Sequence, residues 1–151
     1  MKKLLILICI LILCVGCSKK EVTLDENIFN EVEFKFNENQ GHEYIYFYNN
    51  SDYTIFNPSA SVQYYDKDNN ETLYSTFKLD YDNKDTLIEP NQEVELHDSL
   101  FYSNFEDNIY KYKIQEFRFN VYKDNKEFFC INYGNGHYYI YNQTDKKSYK
   151  N

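Results

Sequence analysis

The sequence predicts an all-β fold, an antiparallel β-sandwich of about seven or eight strands. Three observations favour this class. From Phe29 onward, apolar and polar residues alternate with a period of two, the spacing of a strand with one buried face. Clusters of Asn, Asp, Gly and Pro separate these runs at short intervals. No segment of about ten residues or more has helical spacing, which argues against a parallel sheet with crossover helices.

The first two predicted strands differ in how their faces are covered. Val32, Phe34 and Phe36 alternate with charged or polar residues, so one face of this strand is expected in the core and the other in water. The run Tyr44 to Tyr48 is bulky on both faces, as expected of a central strand that is partly covered on its second side. Turn-forming residues from Asn49 to Asp52 then end this strand.

The middle of the chain predicts a hairpin followed by a further strand. The hairpin consists of a strand from Ser61 to Asp66, a turn at 67–70 and a return strand from Thr72 to Leu79. The segment from Leu87 to Gln92 is interpreted as a turn, and Glu93 to His97 as another alternating strand.

The C-terminal part predicts a β-meander with one irregularity. Between Tyr110 and Tyr122 the apolar residues change register, and a bulge near Gln115 and Glu116 would absorb the change. The elements that follow are a turn at 124–125, a strand from Phe128 to Tyr133, a turn at 134–136 and a strand from Tyr138 to Tyr141.

The N-terminal residues have the pattern of an export signal. Lys2 and Lys3 precede an unbroken apolar run from Leu4 to Val15. This run is shorter than the roughly 20 residues that a membrane-spanning helix needs, and a basic start followed by small residues is typical of processed leaders. A plain secretory signal or a short membrane anchor are the alternatives.

The segment Cys14-Val15-Gly16-Cys17 resembles the cleavage site of bacterial lipoprotein signals, although Cys14 stands where an aliphatic residue is usual. The resemblance implies that Cys17 carries a diacylglyceryl group and becomes the first residue of the mature protein. At about 0.8 kcal/mol per buried CH₂, two acyl chains give a stable anchor where one chain does not. We therefore expect a protein that is lipid-anchored in the cell membrane, on its extracytoplasmic face.

These observations predict three parts in the chain: a signal peptide at 1–16, a lipid-anchored tether at 17–27 and a single β-sandwich domain at 28–151. Cys9 and Cys14 would leave with the signal peptide, and Cys17 would be acylated. Cys130 would then be the remaining thiol, so no internal disulfide is expected. We interpret Cys130 as a small buried hydrophobic residue rather than a reactive thiol.

The charge of the chain excludes one class of partner. The formal net charge is −8, and loss of Lys2 and Lys3 with the signal peptide brings it to about −10. The only arginine is Arg118. Because nucleic-acid binding needs a basic face, we expect no nucleic-acid partner.

The middle of the chain, about residues 42–98, carries a second resemblance. An asparagine-rich turn at 49–52, a strand end Val62-Gln63-Tyr64-Tyr65-Asp66 and a corner at 87–93 resemble the FxLYD-type immunoglobulin-like domain of bacterial surface lipoproteins. That resemblance implies an immunoglobulin-like sandwich and a cell-surface role, and it brings no catalytic residues. The chain departs from the family pattern at Val62, Tyr64, Asn69, Asn70 and Asn91.

Metal and catalytic sites receive little support from the residue pattern. Asp66, Asp68 and Glu71 suggest a calcium loop, but the glycine and the spacing of an EF-hand are missing, so we interpret the segment as a solvated turn. The histidines, His97 and His137 among them, have no partner at ligand spacing. The sequence has no nucleophile elbow, phosphate loop or zinc-protease motif. We expect neither an enzyme nor a cofactor.

The aromatic content is the feature with the most functional weight. The chain contains 17 tyrosines and 12 phenylalanines, and buried phenolic hydroxyls need hydrogen-bond partners, so some tyrosines are expected at the surface. AT-rich coding, which also enriches Asn, Lys and Ile, is the alternative explanation. The candidate binding residues are Tyr64, Tyr133, His137, Tyr139 and Tyr141.

Together these observations predict a membrane-anchored binding module whose partner is a protein or a cell-envelope polymer. Two alternatives remain. A structural spacer or accessory subunit would lack an exposed apolar patch. A small-ligand carrier or enzyme would bring carboxylates, or His97 and His137, together in a pocket.

Overall fold

Ten antiparallel β-strands and one short 3₁₀-helix make up the described part of the computed structural model, which comprises residues 22–39, 42–79, 86–98 and 111–150. This confirms the predicted all-β antiparallel sandwich, with ten strands instead of seven or eight. The 3₁₀-helix is Glu26–Asn30, and the strands are β1 Val32–Asn39, β2 His42–Asn49, β3 Thr54–Tyr65, β4 Glu71–Lys78, β5 Leu87–Ile88, β6 Gln92–Asp98, β7 Lys111–Lys123, β8 Lys126–Asn132, β9 Tyr138–Asn142 and β10 Lys147–Lys150.

The strands form two layers that share β6. The order along the hydrogen-bonded path is β1-β2-β6-β4-β3-β7-β8-β9-β10, and the short β5 pairs with β3. The part of β6 from Gln92 to Leu96 pairs with β2, whereas His97 and Asp98 pair with β4. We call β1, β2 and the first part of β6 the smaller sheet, and the remaining strands the larger sheet.

Aromatic side chains fill the space between the two sheets. The ring of Phe34 on β1 lies 4.8 Å from that of Phe117 on β7, and the ring of Phe47 on β2 lies 6.2 Å from that of Phe119. These distances are typical of packed aromatic pairs, so the two sheets lie face to face. The larger set of fully buried side chains includes Ile45, Phe47, Ile55, Val62, Phe77, Leu96, Phe119, Val121 and Phe128.

The predicted bulge in β7 is confirmed. Ser61 of β3 faces Glu116 and the next residue, Val62, faces Ile114, so Gln115 has no direct partner on β3. The extra residue restores the inward direction of the apolar side chains on both sides of it. A second irregularity in β3 lies at Asn57, whose φ is 53°.

Turn residues with positive φ set the hairpin that starts the C-terminal meander. Asp124 and Asn125 connect β7 to β8 with φ values of 50° and 59°. Positive φ at both central positions is the geometry of a type I′ turn, which matches the twist of the flanking strands. The meander β7-β8-β9 is confirmed, and β10 extends it.

The folded domain begins earlier than the predicted boundary at residue 28. Leu24 is 5% exposed, and Ile28 and Phe29 belong to the same core. The Asp25 side chain caps the 3₁₀-helix by accepting a 2.9 Å hydrogen bond from the Asn27 N–H. The predicted tether at 17–27 is therefore too long at its C-terminal end, because Leu24 packs into the core although polar residues surround it in the sequence.

Candidate binding surface

The loop between β8 and β9 holds two of the predicted site residues at the surface. The Tyr133 N–H donates to the His137 carbonyl oxygen at 3.0 Å, and both side chains are exposed. Gly134 has a φ of 74°, and a Cβ at this position would lie 2.8 Å from the Gln115 carbonyl oxygen. The loop therefore rests on the β7 bulge through a position that glycine satisfies best.

Tyr139 and Tyr141 form the predicted aromatic pair on β9. Their rings are parallel within 4°, with centroids 6.4 Å apart, and both side chains are half-buried. The alternate residues Tyr138 and Ile140 belong to or pack against the core, and the ring of Tyr138 lies 5.3 Å from that of Phe29. Because successive side chains of a strand point to opposite faces, Tyr139 and Tyr141 lie on the outer face of the larger sheet.

The strand register continues this pair across β8. Tyr139 lies opposite Ile131 and Tyr141 lies opposite Phe129. Both β8 residues are half-buried and lie on the outer face, since their chain neighbours Phe128 and Cys130 are fully buried in the core and successive side chains of a strand point to opposite faces. Apolar residues thus occupy both faces of β8.

The same apolar surface continues to β7 and β3. Phe129 lies opposite Asn120, and Asn120 lies opposite Phe56. The ring of Phe56 stacks on that of Tyr122 at 5.1 Å, and Tyr122 is 48% exposed. We call this outer surface of the larger sheet the aromatic face. Its members are Phe56, Tyr122, Phe129, Ile131, Tyr139 and Tyr141.

Asn120 joins Phe129 and Phe56 in one cross-strand row of the aromatic face. Its side chain belongs to the outer face, yet only 8% of the residue is exposed. The flanking Phe56 and Phe129 are its cross-strand neighbours, and its Nδ2 donates to Glu127 Oε1 at 2.7 Å. The polar residue in the middle of this row is thus covered and hydrogen-bonded, as buried polar groups generally are.

Tyr64 corrects the predicted set of binding residues. It is 1% exposed and belongs to the core, where its ring lies 6.3 Å from that of Phe36. Tyr65 is the outward member of the doubled pair, and its hydroxyl accepts a 3.2 Å hydrogen bond from Gln115 Nε2. The prediction for Tyr64 was wrong because a Tyr-Tyr pair places one ring on each face without showing which ring is inside.

The sequence reasoning missed a row of tyrosines on the opposite side of the sandwich. Tyr44, Tyr46 and Tyr48 alternate with the buried Ile45 and Phe47 on β2, so they share the outer face of the smaller sheet. We call them the tyrosine row. The only signal for it was the run of bulky residues on both faces of this strand.

Charged neighbours engage the tyrosine row. The Tyr46 hydroxyl donates to Glu95 Oε2 at 3.1 Å, and this hydrogen bond raises the pKa of Tyr46. Lys35 Nζ lies 4.5 Å from the centroid of the Tyr48 ring and 3.0 Å from Glu33 Oε2. The row is therefore part of a polar network on the protein surface.

The Asp66 loop uses its carboxylate to hold a turn. Asp66 Oδ1 accepts from the N–H groups of Asp68 and Asn70 at 2.9 and 2.8 Å, and Oδ2 accepts from Asn70 Nδ2 at 3.0 Å. The side-chain and backbone hydrogen bonds from Asn70 lower the pKa of Asp66. In the described ranges, no group of three or more His, Cys, Asp or Glu residues is arranged to hold a metal ion.

His97, His137 and Cys130 lie on different elements of the fold. His97 Nε2 is 3.5 Å from Glu95 Oε1 on β6, whereas His137 is in the loop between β8 and β9. Cys130 is fully buried, and this burial raises the pKa of its thiol. A thiol held in its neutral form inside a core is a weak nucleophile.

Comparison of the chain with protein-family models, with curated proteins and with solved structures found no match. The resemblance to FxLYD-type domains therefore stays a prediction. Cys17 and the signal peptide lie outside the described residues, so lipidation also stays a prediction. Within the described ranges, no helix has the length and apolar character that crossing a membrane requires.

Proposed function

We propose that this protein is a membrane-anchored, extracytoplasmic lipoprotein that acts as a binding module and contacts its partner through the aromatic face. The partner is a protein or a cell-envelope polymer. The observation that carries this proposal is the direction of the side chains: the apolar and aromatic residues of the aromatic face occupy part of the outer face of the larger sheet, where a solvated strand normally carries polar residues. Aromatic side chains at the surface are typical of the centres of interfaces.

The contrast with the tyrosine row supports the choice of surface. On the smaller sheet, Tyr46 is hydrogen-bonded to Glu95, and Tyr48 lies under the ammonium group of Lys35. On the larger sheet, the β8 neighbours of Tyr139 and Tyr141 are the apolar Ile131 and Phe129, and the β10 neighbour of Tyr141 is Ser148. Covering this apolar area with a partner would release more free energy than covering an already solvated polar network.

The same observation makes the alternatives less favourable. A spacer gains nothing from apolar residues that face water, since polar side chains would serve it as well and aggregate less. An enzyme or carrier built on His97 and His137 would need both in one pocket, but His97 lies in the part of β6 that pairs with β4, whereas His137 lies in the loop between β8 and β9. The proposed protein binds without catalysis and without a cofactor.

Site-specific photo-crosslinking in intact cells tests the proposed surface. A photoreactive phenylalanine analogue at position 141 should give adducts with an envelope component, because this position lies within the aromatic face. The matched control is the same analogue at position 46, a half-buried tyrosine position on the opposite sheet. Protease and glycan-hydrolase treatment of the adduct distinguishes a protein from a polymer. Equal yields at both positions, or no adduct at 141, would contradict the proposal.

Replacement of the proposed acyl acceptor tests the anchor. Cys17→Ser should move the full-length protein from the detergent phase to the aqueous phase, because the apolar run before it is too short to span a membrane and the acyl chains would be lost. Cys9→Ser, within the same leader, should leave partitioning unchanged. Mass spectrometry of the wild type should find an N-terminal peptide that begins at a modified Cys17. Unchanged partitioning of Cys17→Ser would exclude this anchor.

A further inference from the structure

Strand β1 is at the end of the hydrogen-bonded path in the described part of the chain. One of its edges pairs with β2, and no described strand pairs with the other edge. The Asn50 N–H donates to the Glu31 carbonyl oxygen at 2.8 Å, which continues the β1-β2 register by one residue. Since the N–H and C=O groups of successive residues point to opposite edges of a strand, those of Glu33 and Lys35, two and four residues after Glu31, also point to β2. Those of the residues between them point to the open edge.

We propose that this open edge pairs with the same edge of a second copy of the chain, as an antiparallel β1-β1 pair with a two-fold axis at Phe34. In this arrangement Phe34 lies opposite Phe34 of the second copy. Val32 lies opposite Phe36, and Glu33 lies opposite Lys35. The inference does not depend on the aromatic face, which belongs to the other sheet.

The backbone geometry fits this register. Val32, Phe34 and Phe36 are the residues whose N–H and C=O groups point away from β2. They are also the residues that meet across the two-fold axis, so each opposed pair can exchange both of its backbone hydrogen bonds. An open edge of this kind is a template for pairing with another strand.

The apolar side chains fit the same register. Phe34 and Phe36 face the core but remain half-buried, and both pack against it from the margin of the sheet. Opposed residues of an antiparallel pair share one face. The second copy would therefore add its own Phe34, Phe36 and Val32 beside them and extend the core across the contact.

The charged side chains select this register over its neighbours. Glu33 and Lys35 share the outer face of β1, with Lys35 Nζ 3.0 Å from Glu33 Oε2 within one chain. An axis at Phe34 brings each glutamate opposite a lysine. An axis at Glu33 would oppose two glutamates, and an axis at Lys35 would oppose two lysines. Like charges directly opposite each other are destabilising, so the strand is complementary to itself in one register.

A charge-swap series tests the pairing in the full-length protein in its native membrane, with chemical crosslinking as the measure of dimer. In a dimer of the Glu33→Lys variant, a lysine at position 33 would lie opposite Lys35 of the second copy at both symmetric positions. In a dimer of the Lys35→Glu variant, a glutamate would likewise lie opposite Glu33 twice. Each should reduce the dimer yield about ten-fold. The double variant Glu33→Lys with Lys35→Glu restores opposite charges and should restore the dimer.

The matched control for the series is an ion pair on the central strand β7, where Arg118 Nη2 lies 3.2 Å from Glu116 Oε1. Like Glu33 and Lys35, these two residues are two positions apart on one strand. Glu116→Lys should leave the dimer yield unchanged. Failure of the double variant to restore the dimer, or equal loss with the β7 control, would overturn the inference. A monomeric wild type in the membrane would overturn it as well.

Cysteine pairing tests the register directly. Cells that produce a mixture of Glu33→Cys and Lys35→Cys chains should form an intermolecular disulfide upon mild oxidation, because these positions are opposed. Either variant alone should form little, since each cysteine would face a charged residue of the second copy. A strong disulfide from Glu33→Cys alone would overturn the proposed register. Crosslinking of position 33 to another protein instead would show that the edge serves a different strand.

Discussion

Val62→Asp should lower the free energy of unfolding by about 3 kcal/mol or more, the largest effect of a single side chain that we expect in this domain. Val62 is 0% exposed and lies in the middle of β3, between Ser75 on β4 and Ile114 on β7. A carboxylate at this position would lose its hydration without gaining a cation. Since domains of this size are stable by only about 5–15 kcal/mol, much of that stability would be lost.

Tyr74→Asp is the control for Val62→Asp. Tyr74 lies one position before Ser75 on β4 and is 52% exposed, so a carboxylate there stays in water. Its effect should remain below about 1 kcal/mol. Phe34→Asp should be intermediate, because Phe34 faces the core but is half-buried at the sheet margin. Denaturant unfolding of the three variants measures the order. Wild-type unfolding of Val62→Asp would contradict the register of β3.

Much of the sheet could be predicted because alternation is a local property of the sequence. β1, β2, β4 and β6 each lie within about two residues of the predicted strand, and the change of register near Gln115 is the bulge that the structure contains. Such signals need no knowledge of which strands pair. They report only that one face of a segment differs from the other.

What could not be predicted depends on partners far along the chain. The first part of β3 was missed because Asn57 and Pro58 look like a strand break, whereas the structure accommodates them as a bulge in a continuing strand. The 3₁₀-helix was missed because its apolar residues, Ile28 and Phe29, become core only when β7 and β9 lie beside them. β10 has no alternating apolar residues, so nothing local marks it.

The candidate surface was predictable to a similar extent. Tyr139 and Tyr141 were found because residues two apart on one strand must share a face. Phe56 and Tyr122 were missed, since their proximity to that pair comes from the β3-β7-β8 register. Tyr64 was assigned to the surface because alternation alone does not decide which face of a strand with bulk on both sides is covered.

Asn49 illustrates a second kind of long-range dependence, a buried polar residue whose role is invisible in the sequence. It is 0% exposed at the end of β2. Its Nδ2 donates to the Tyr53 and Ile88 carbonyl oxygens at 2.8 and 2.9 Å, and its Oδ1 accepts from the Ser51 N–H at 3.1 Å and from Ser51 Oγ at 2.7 Å. Because Ile88 pairs with β3, this side chain joins the smaller sheet to the larger one.

Asn49→Ala should therefore lower the free energy of unfolding by about 3 kcal/mol, since buried carbonyl oxygens and a hydroxyl would lose their partner at about 1–3 kcal/mol each, with partial relief by water. Asn50→Ala is the matched control, because Asn50 is exposed and uses its backbone N–H, which alanine retains. Its effect should be below about 0.5 kcal/mol. Denaturant unfolding of both variants measures the difference. Equal stability of the two would mean that the hydrogen bonds of Asn49 add nothing to the connection between the sheets.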